Sequence, residues 1–175
     1  MLSLLHSLDI FILELVNLSY HSFLSDNLAL LVTNVGVIYF WIIIAGILYL
    51  FGNEKGKDVS KKMIIILIVV VIVSQIIKFV VMRPRPYTEL SSLVVLSLGT
   101  DPSFPSGHTT ISTAMSYVLS KEYNKWYLMS IPVIVALSRL YLGVHYPSDV
   151  FGGFLVGIGI ACIMEHYINF KKFEL

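Results

Sequence analysis

Residues 63–82 run for twenty positions with seventeen apolar side chains, one charge (Lys78) and no glycine or proline. That is the length an α-helix needs to cross the hydrocarbon core of a bilayer. The β-branched stretch IIILIVVVIV at 64–73 would also suit a buried strand, but its length and lack of turn residues favour a membrane helix. Three further stretches, 28–51, 126–143 and 150–169, read the same way. Apolar residues make up 57% of the chain and charged residues only 13%. A soluble domain carries about 25% charged residues. So few charges could not cover a water-facing surface, and the chain falls in the membrane class.

Two segments fit less simply. Residues 106–120 (SGHTTISTAMSYVLS) are short and too polar to face lipid. They are expected inside the bundle, where small hydroxyl residues allow close helix packing. Residues 2–20 place Leu4, Leu8, Phe11, Leu15 and Leu18 at helical spacing, interrupted by His6, Asp9, Glu14 and Asn17. This predicts an amphipathic helix lying in the interface, with a sixth, poorer span as the alternative. The N-terminus has no positive n-region, so no cleavable leader is expected. The expected fold is all-α: a polytopic membrane helical bundle with five to six transmembrane helices. Residues 1–25 would form an N-terminal amphipathic or interfacial segment, and residues 26–175 one transmembrane domain.

Some residues invite plain packing roles. Cys162 is expected as a small buried hydrophobe and Pro132 as a kink in its span. Gly152, Gly153, Gly157 and Gly159 make a small-residue stripe for helix packing. Trp41 and Trp126 read as interface anchors or core residues. His6, His21 and His166 read as packing or interfacial. Thr33, Asn34 and Gly36 form a polar break near one end of the 28–51 stretch.

Charge is unevenly distributed. Lys55, Lys57, Lys61 and Lys62 lie between the first two strong spans, Lys121 and Lys125 between the third and fourth, and Lys171 and Lys172 after the last. With five spans these eight of nine lysines share one face, which the positive-inside tendency makes cytoplasmic. The opposite face keeps Lys78 and all three arginines, Arg83, Arg85 and Arg139. A net charge of +1 gives no signal for nucleic acid, and none is expected as a partner. No sequence feature points to an oligomeric state.

Three clusters share that opposite face. The first runs from Lys78 to Arg83-Pro84-Arg85-Pro86, the second is Pro105-Ser106-Gly107-His108, and the third spans Ser138-Arg139 to His145 and Asp149. Lys78, Arg85 and Arg139 are cations drawn from three places, and converging cations at a membrane surface point to a phosphate. Ser106-Gly107-His108 opens a helix, whose N-terminal N–H groups bind anions, and Gly107 lets a phosphate approach the backbone. Two imidazoles beside a phosphate, His108 and His145, divide into nucleophile and proton donor. Asp149, four residues after His145 with Pro147 between, can turn back and fix its tautomer. Arg83 touches either the substrate headgroup or only a lipid phosphate, with direct catalysis the lesser reading. The segment 106–120 offers one His and no acidic residue or Cys. No metal and no cofactor are expected, since Lys and Arg can carry the charge of phosphoryl transfer.

These residues resemble the type 2 phosphatidic acid phosphatase (PAP2) superfamily, which also holds vanadium haloperoxidases. Its pattern, K-x6-R-P, P-S-G-H and S-R-x5-H-x3-D, is matched without departure over about residues 63–160. The resemblance implies that His145 attacks phosphorus, Asp149 orients it and His108 protonates the leaving oxygen. Lys78, Arg85, Ser106, Gly107 and Arg139 would hold the phosphoryl oxygens. It further implies an integral plasma-membrane enzyme whose partners are a lipid phosphate substrate and membrane lipids. A polyprenyl (undecaprenyl-type) diphosphate is the first candidate substrate, with phosphatidylglycerophosphate and then phosphatidate as alternatives. A vanadate-dependent haloperoxidase is a remoter alternative, since those relatives are larger and soluble. A non-catalytic scaffold is argued against by the intact His108, His145 and Asp149. The loop 87–104 joins two motifs, and its apolar part, Leu93–Leu98, is a candidate lid. The orientation is testable: a cysteine at position 57 should resist a membrane-impermeant thiol reagent applied to intact cells, and labelling from outside would reverse the assignment.

Overall fold

The structure, a computed structural model, describes the backbone of residues 2–173 and the side chains of residues 4–168. Lys171 and Lys172 therefore lie outside the described side chains. Among the described residues eight α-helices follow one another: α1 (Leu2–Asn17), α2 (Phe23–Thr33), α3 (Ile38–Phe51), α4 (Glu54–Val81), α5 (Pro86–Glu89), α6 (Gly107–Tyr123), α7 (Ser130–Tyr141) and α8 (Pro147–Phe173). Two 3-10 turns, Asn34–Gly36 and Trp126–Met129, lead into α3 and α7. No strand occurs among the described residues, so the chain is all-helical, as its hydropathy requires.

Among the described residues, Glu54–Glu89 and Pro147–Ile168 are long and apolar enough to cross a membrane alone. The β-branched run lies in α4. Its start is capped by Asn53, whose Oδ1 accepts from the Gly56 N–H at 3.1 Å. Its end is set by Met82 in the left-handed region (φ 50°) and by Pro84, which disfavours helix at the preceding residue.

The expected continuous helix over 28–51 is broken instead. The pair Phe23–Gly36 and Ile38–Phe51 bends by 59° at the polar residues Thr33, Asn34 and Gly36. The cause is packing: a β-carbon on Gly36 would stand 2.6 Å from the His108 Cβ. The chain turns where the start of α6 presses against it. The 126–143 stretch also differs. Its first turn is 3-10, and Trp126–Tyr141 is shorter than a full span. Pro132 stands in the first turn of α7, where a missing N–H is best tolerated.

The Ser/Thr-rich α6 is central. Thr109, Thr110, Ser112, Thr113, Ser116 and Ser120 are all fully buried. The glycine stripe of α8 fits it: added β-carbons at Gly153 and Gly157 would meet the Ser106 and Thr110 carbonyl oxygens at 3.0 and 2.5 Å. Gly159 has nothing within 4 Å and takes no part. Cys162 is exposed on α8, not buried as expected. It lies on the apolar outside of a membrane helix, where a small thiol is equally at ease. Trp41 is core and Trp126 is exposed.

The outside of the bundle is apolar and part of its inside is polar. On α1, Leu4, Leu8, Phe11 and Leu15 are exposed while Asp9, Leu13 and Asn17 are buried. Asn17 donates to the carbonyls of Val94 (2.8 Å) and Tyr141 (2.7 Å) and accepts from the Val94 N–H (2.9 Å). This clamps the 87–104 loop. Leu93 of that loop is a core residue packed with Leu13 and Tyr146, so most of the apolar stretch is anchored rather than free.

The α6–α8 contact yields a stability test. Gly157→Ala forces a β-carbon onto backbone and should lower stability by about 1–3 kcal/mol. Gly159→Ala should be neutral or slightly stabilising. Thermal unfolding of both purified variants in detergent measures the contrast, and equal behaviour would contradict the packing.

Candidate active site

At the end of the bundle where α4 finishes and α6 begins lies a cavity of about 360 Å³. Six of the eight residues singled out from sequence line it: Lys78, Arg85, Gly107, His108, Arg139 and His145. They arrive from α4, the turn before α5, the start of α6, the end of α7 and the α7–α8 hairpin. The reversal at Gly143 (φ 72°) brings Arg139 and His145 together. Glycine is required there by its backbone and by the Val94 carbonyl, 2.9 Å from where a β-carbon would stand.

The cations are held differently. Lys78 Nζ donates to the Pro102 carbonyl at 2.5 Å and pairs with Asp101 Oδ2 at 3.1 Å. Arg85 donates from Nη2 to Asp101 Oδ1 at 2.6 Å, from Nε to the Asp101 carbonyl at 2.8 Å and from Nη1 to the Val144 carbonyl at 3.0 Å. Asp101 therefore bridges two of the three cations. Burial alone would push its carboxyl up, but Lys78 and Arg85 hold it at about 2. Gly99 makes room for this arrangement, since a β-carbon there would lie 2.4 Å from the Arg85 Cζ. Arg139 donates from Nη1 to Thr33 Oγ1 at 2.7 Å, and its buried Nε has no partner. It is a buried cation on the cavity wall with unfilled donor capacity, as an anion site requires.

The two histidines come from different elements. Nδ1 of His145 lies 3.5 Å from Asp149 Oδ2, long for a direct hydrogen bond. Ser103 spans the gap, with Oγ 3.3 Å from His145 Nδ1 and donating to Asp149 Oδ2 at 2.5 Å. The other nitrogen, Nε2, lies on the Arg85 side, 3.5 Å from Nη1. Burial drives the imidazole down to about 3, opposed by Asp149 and reinforced by Arg139 and Arg85. At neutral pH the ring is uncharged and one ring nitrogen keeps a free lone pair. Asp149 faces His145 because it also caps α8, with Oδ2 accepting from the Tyr146 N–H at 2.8 Å. His108 is the second residue of α6, beside Gly107. Around Gly107 the space stays open, with only Lys78 Cε at 3.9 Å.

Asp149 and Ser106 lie behind the cavity wall. The hydroxyl of Ser106, expected to touch phosphate, is fully buried and accepts from Thr109 Oγ1 at 3.1 Å. Its N–H donates to the Asp149 carbonyl at 3.0 Å, which joins the second motif to the third. Among the described residues no group of three or more His, Cys, Asp or Glu side chains could hold a metal ion. Sequence reasoning missed Thr33, Asp101 and Ser103. The latter two sit just before the Pro-Ser-Gly-His run, the one signal that pointed to them.

The sequence model of the PAP2 superfamily matches residues 60–173. The chain belongs to the PAP2 superfamily. It is 29% identical over 157 residues to the undecaprenyl-diphosphatase BcrC of Bacillus subtilis, covering 89% of this chain and 81% of that one. The crystal structure of LpxE from Aquifex aeolicus superposes with a TM-score of 0.74 at 28% identity, over 91% of this chain and 96% of the other. The transmembrane PAP2 type phosphatidylglycerolphosphate phosphatase from Bacillus subtilis gives 0.75 at 23% identity, over 94% and 86%. This PAP2 protein, with its apolar helices, is an integral membrane protein and a lipid phosphatase.

Ser103 offers a direct test of the site. Ser103→Ala removes the bridge between Asp149 and His145. The variant should lose about tenfold or more in kcat, with KM nearly unchanged, because the loss falls on orientation rather than on substrate binding. Steady-state kinetics on the purified variant measures it, and wild-type kcat would sink the assignment.

Proposed function

We propose that the protein hydrolyses a polyprenyl diphosphate of the undecaprenyl type through a phosphohistidine, at the extracytoplasmic membrane surface. The observation that carries this reading is the shared cavity. Two histidines and three cations face one volume, and a carboxylate backs the Nδ1 side of one histidine.

His145 Nε2 attacks the terminal phosphorus. The entering diphosphate, as a multiply charged anion, brings a proton onto His108; the bond from phosphorus to the bridging oxygen then breaks, and His108 gives that oxygen this proton. Lys78, Arg85 and Arg139, with the N–H groups at the start of α6, neutralise the equatorial oxygens. Asp149 stabilises the imidazolium formed on attack. Water, deprotonated by His108, then attacks the phosphohistidine, and phosphate leaves with His145 restored. Every charge in this scheme comes from side chains or backbone, so it runs without a metal. The Ser106 backbone serves by anchoring α6, not by a hydroxyl contact.

Taking α2 and α3 as one bent span and adding α4, α6, α7 and α8 gives five crossings. Lys57, Lys62 and Lys121 then lie opposite the cavity, which supports an outward-facing site. The likeness to an undecaprenyl-diphosphatase supports the polyprenyl substrate, as do the exposed rim residue Leu98 and the half-buried Leu30. These let an isoprenoid chain remain in lipid while the diphosphate enters.

Phosphate release by the purified protein tests this against polyprenyl diphosphate, phosphatidylglycerophosphate, phosphatidate and polyprenyl monophosphate. The diphosphate should give the highest kcat/KM, His145→Ala should fall to background, and His108→Ala should be weakest on poor leaving groups. EDTA should leave turnover intact and vanadate should inhibit it. Inhibition by EDTA that Mg²⁺ reverses would refute the metal-free scheme.

A further inference from the structure

Behind Asp149 lies a second layer of charge that the three motifs do not include. Arg83 sits in the variable stretch of the first motif. Its Nη1 donates to Asp149 Oδ1 at 2.7 Å and to Ser148 Oγ at 2.6 Å. Its Nη2 donates to Asp9 Oδ2 at 2.8 Å. The guanidinium carbon lies 4.1 Å from the centroid of the Tyr146 ring, within cation–π range. Asp9 is buried and comes from α1, outside residues 60–173 that match the family. It also caps α8: Oδ1 accepts from the Ser148 N–H at 2.8 Å and Oδ2 from Ser148 Oγ at 2.5 Å.

We propose that Asp9 and Arg83 are positioning residues for the reaction: Asp9 anchors Arg83, and Arg83 fixes Asp149 so that its other oxygen serves His145. The inference rests on the reading of His145 as nucleophile given above. The two oxygens of Asp149 have separate duties. Oδ1 is bound by Arg83, while Oδ2 takes Ser103, the Tyr146 N–H and the His145 side. Without Arg83 the carboxylate could rotate and lose its aim.

Charge count gives Asp9 a purpose beyond the cap. Asp9, Arg83 and Asp149 together carry one net negative charge. When attack makes His145 cationic, the four groups become neutral. Removing the Asp9 charge leaves Arg83 and Asp149 to cancel, and the imidazolium loses a counter-ion in a buried site where Coulomb terms are poorly screened. The effect belongs to the chemical step and not to substrate binding, because neither Asp9 nor Arg83 lines the cavity.

The test is steady-state kinetics of the full-length protein in lipid–detergent micelles with a polyprenyl diphosphate. The variants are Asp9→Asn, Arg83→Met, Arg83→Lys and the Asp9→Asn/Arg83→Met double, with His145→Ala alongside. Asp9→Asn retains an oxygen for the Ser148 N–H, so the helix cap survives, while the charge and the acceptor that holds Arg83 Nη2 and Ser148 Oγ are lost. Asp9→Asn and Arg83→Met should each lose about tenfold in kcat with KM within about twofold, the size of effect that outer-layer partners of a reacting group produce. Arg83→Lys should recover part of that loss. The double should be no worse than Arg83→Met alone, because the two act through one path. Wild-type kcat in Asp9→Asn, losses confined to KM, or multiplying losses in the double would each overturn the proposal. Should Arg83→Met fail to fold, Asp9→Asn and Arg83→Lys decide the matter. An inactive His145→Ala beside an unaffected Asp9→Asn would sink the positioning role alone, whereas an active His145→Ala would sink the reading of the site beneath it.

Discussion

The structure depends on keeping cations inside a protein that lipid surrounds. Lys78, Arg85 and Arg139 are all nearly inaccessible, and an unpaired charge in such surroundings is costly. Asp101 compensates the first two, while Arg139 has only the Thr33 hydroxyl. The demand for counter-charge explains why the loop before α6 folds inward over the cavity instead of trailing in water. The cavity is lined by an excess of positive charge, and a carboxylate of the chain itself, Asp101, offsets part of it.

How much of this was legible in the sequence depended on distance along the chain. Lys78 and Arg85 are seven residues apart and His145 and Asp149 four, so local spacing exposed both pairs. Helix α4 was readable because the length of its apolar run and its lack of turn residues outweigh the strand that its β-branched residues would also suit. The role of Ser103 was not, because the loop that carries it gets its shape from partners such as Asn17 and Asp149. The 59° bend was half visible: Thr33, Asn34 and Gly36 announced a polar break, but its cause is the His108 backbone from another helix. Asp9 was least legible of all. Its partners Arg83 and Ser148 lie 74 and 139 residues away, and no periodic pattern encodes such a meeting.

Helix α1 shows how a lipid solvent inverts the usual reading of amphipathicity. Its leucines were legible as one face, but the face they make is the outer one. Asp9 and Asn17, which looked like interruptions, are the residues that attach the helix to α7, α8 and the 87–104 loop. In hydrocarbon, apolar side chains gain little from being hidden, so specificity of contact passes to hydrogen bonds and close packing. The same rule accounts for the hydroxyl-rich α6 and the glycines of α8 that face it.

The hairpin around Gly143 is short and internally tied: the Leu142 N–H reaches the Ser138 carbonyl and the Val144 N–H the Arg139 carbonyl. Such a corner has no slack. Arg139 and His145 stand on either side of this corner, so the hairpin's own backbone sets their spacing. Any side chain at position 143 would strain the turn and press on the Val94 carbonyl, and both functional candidates would feel the disturbance together.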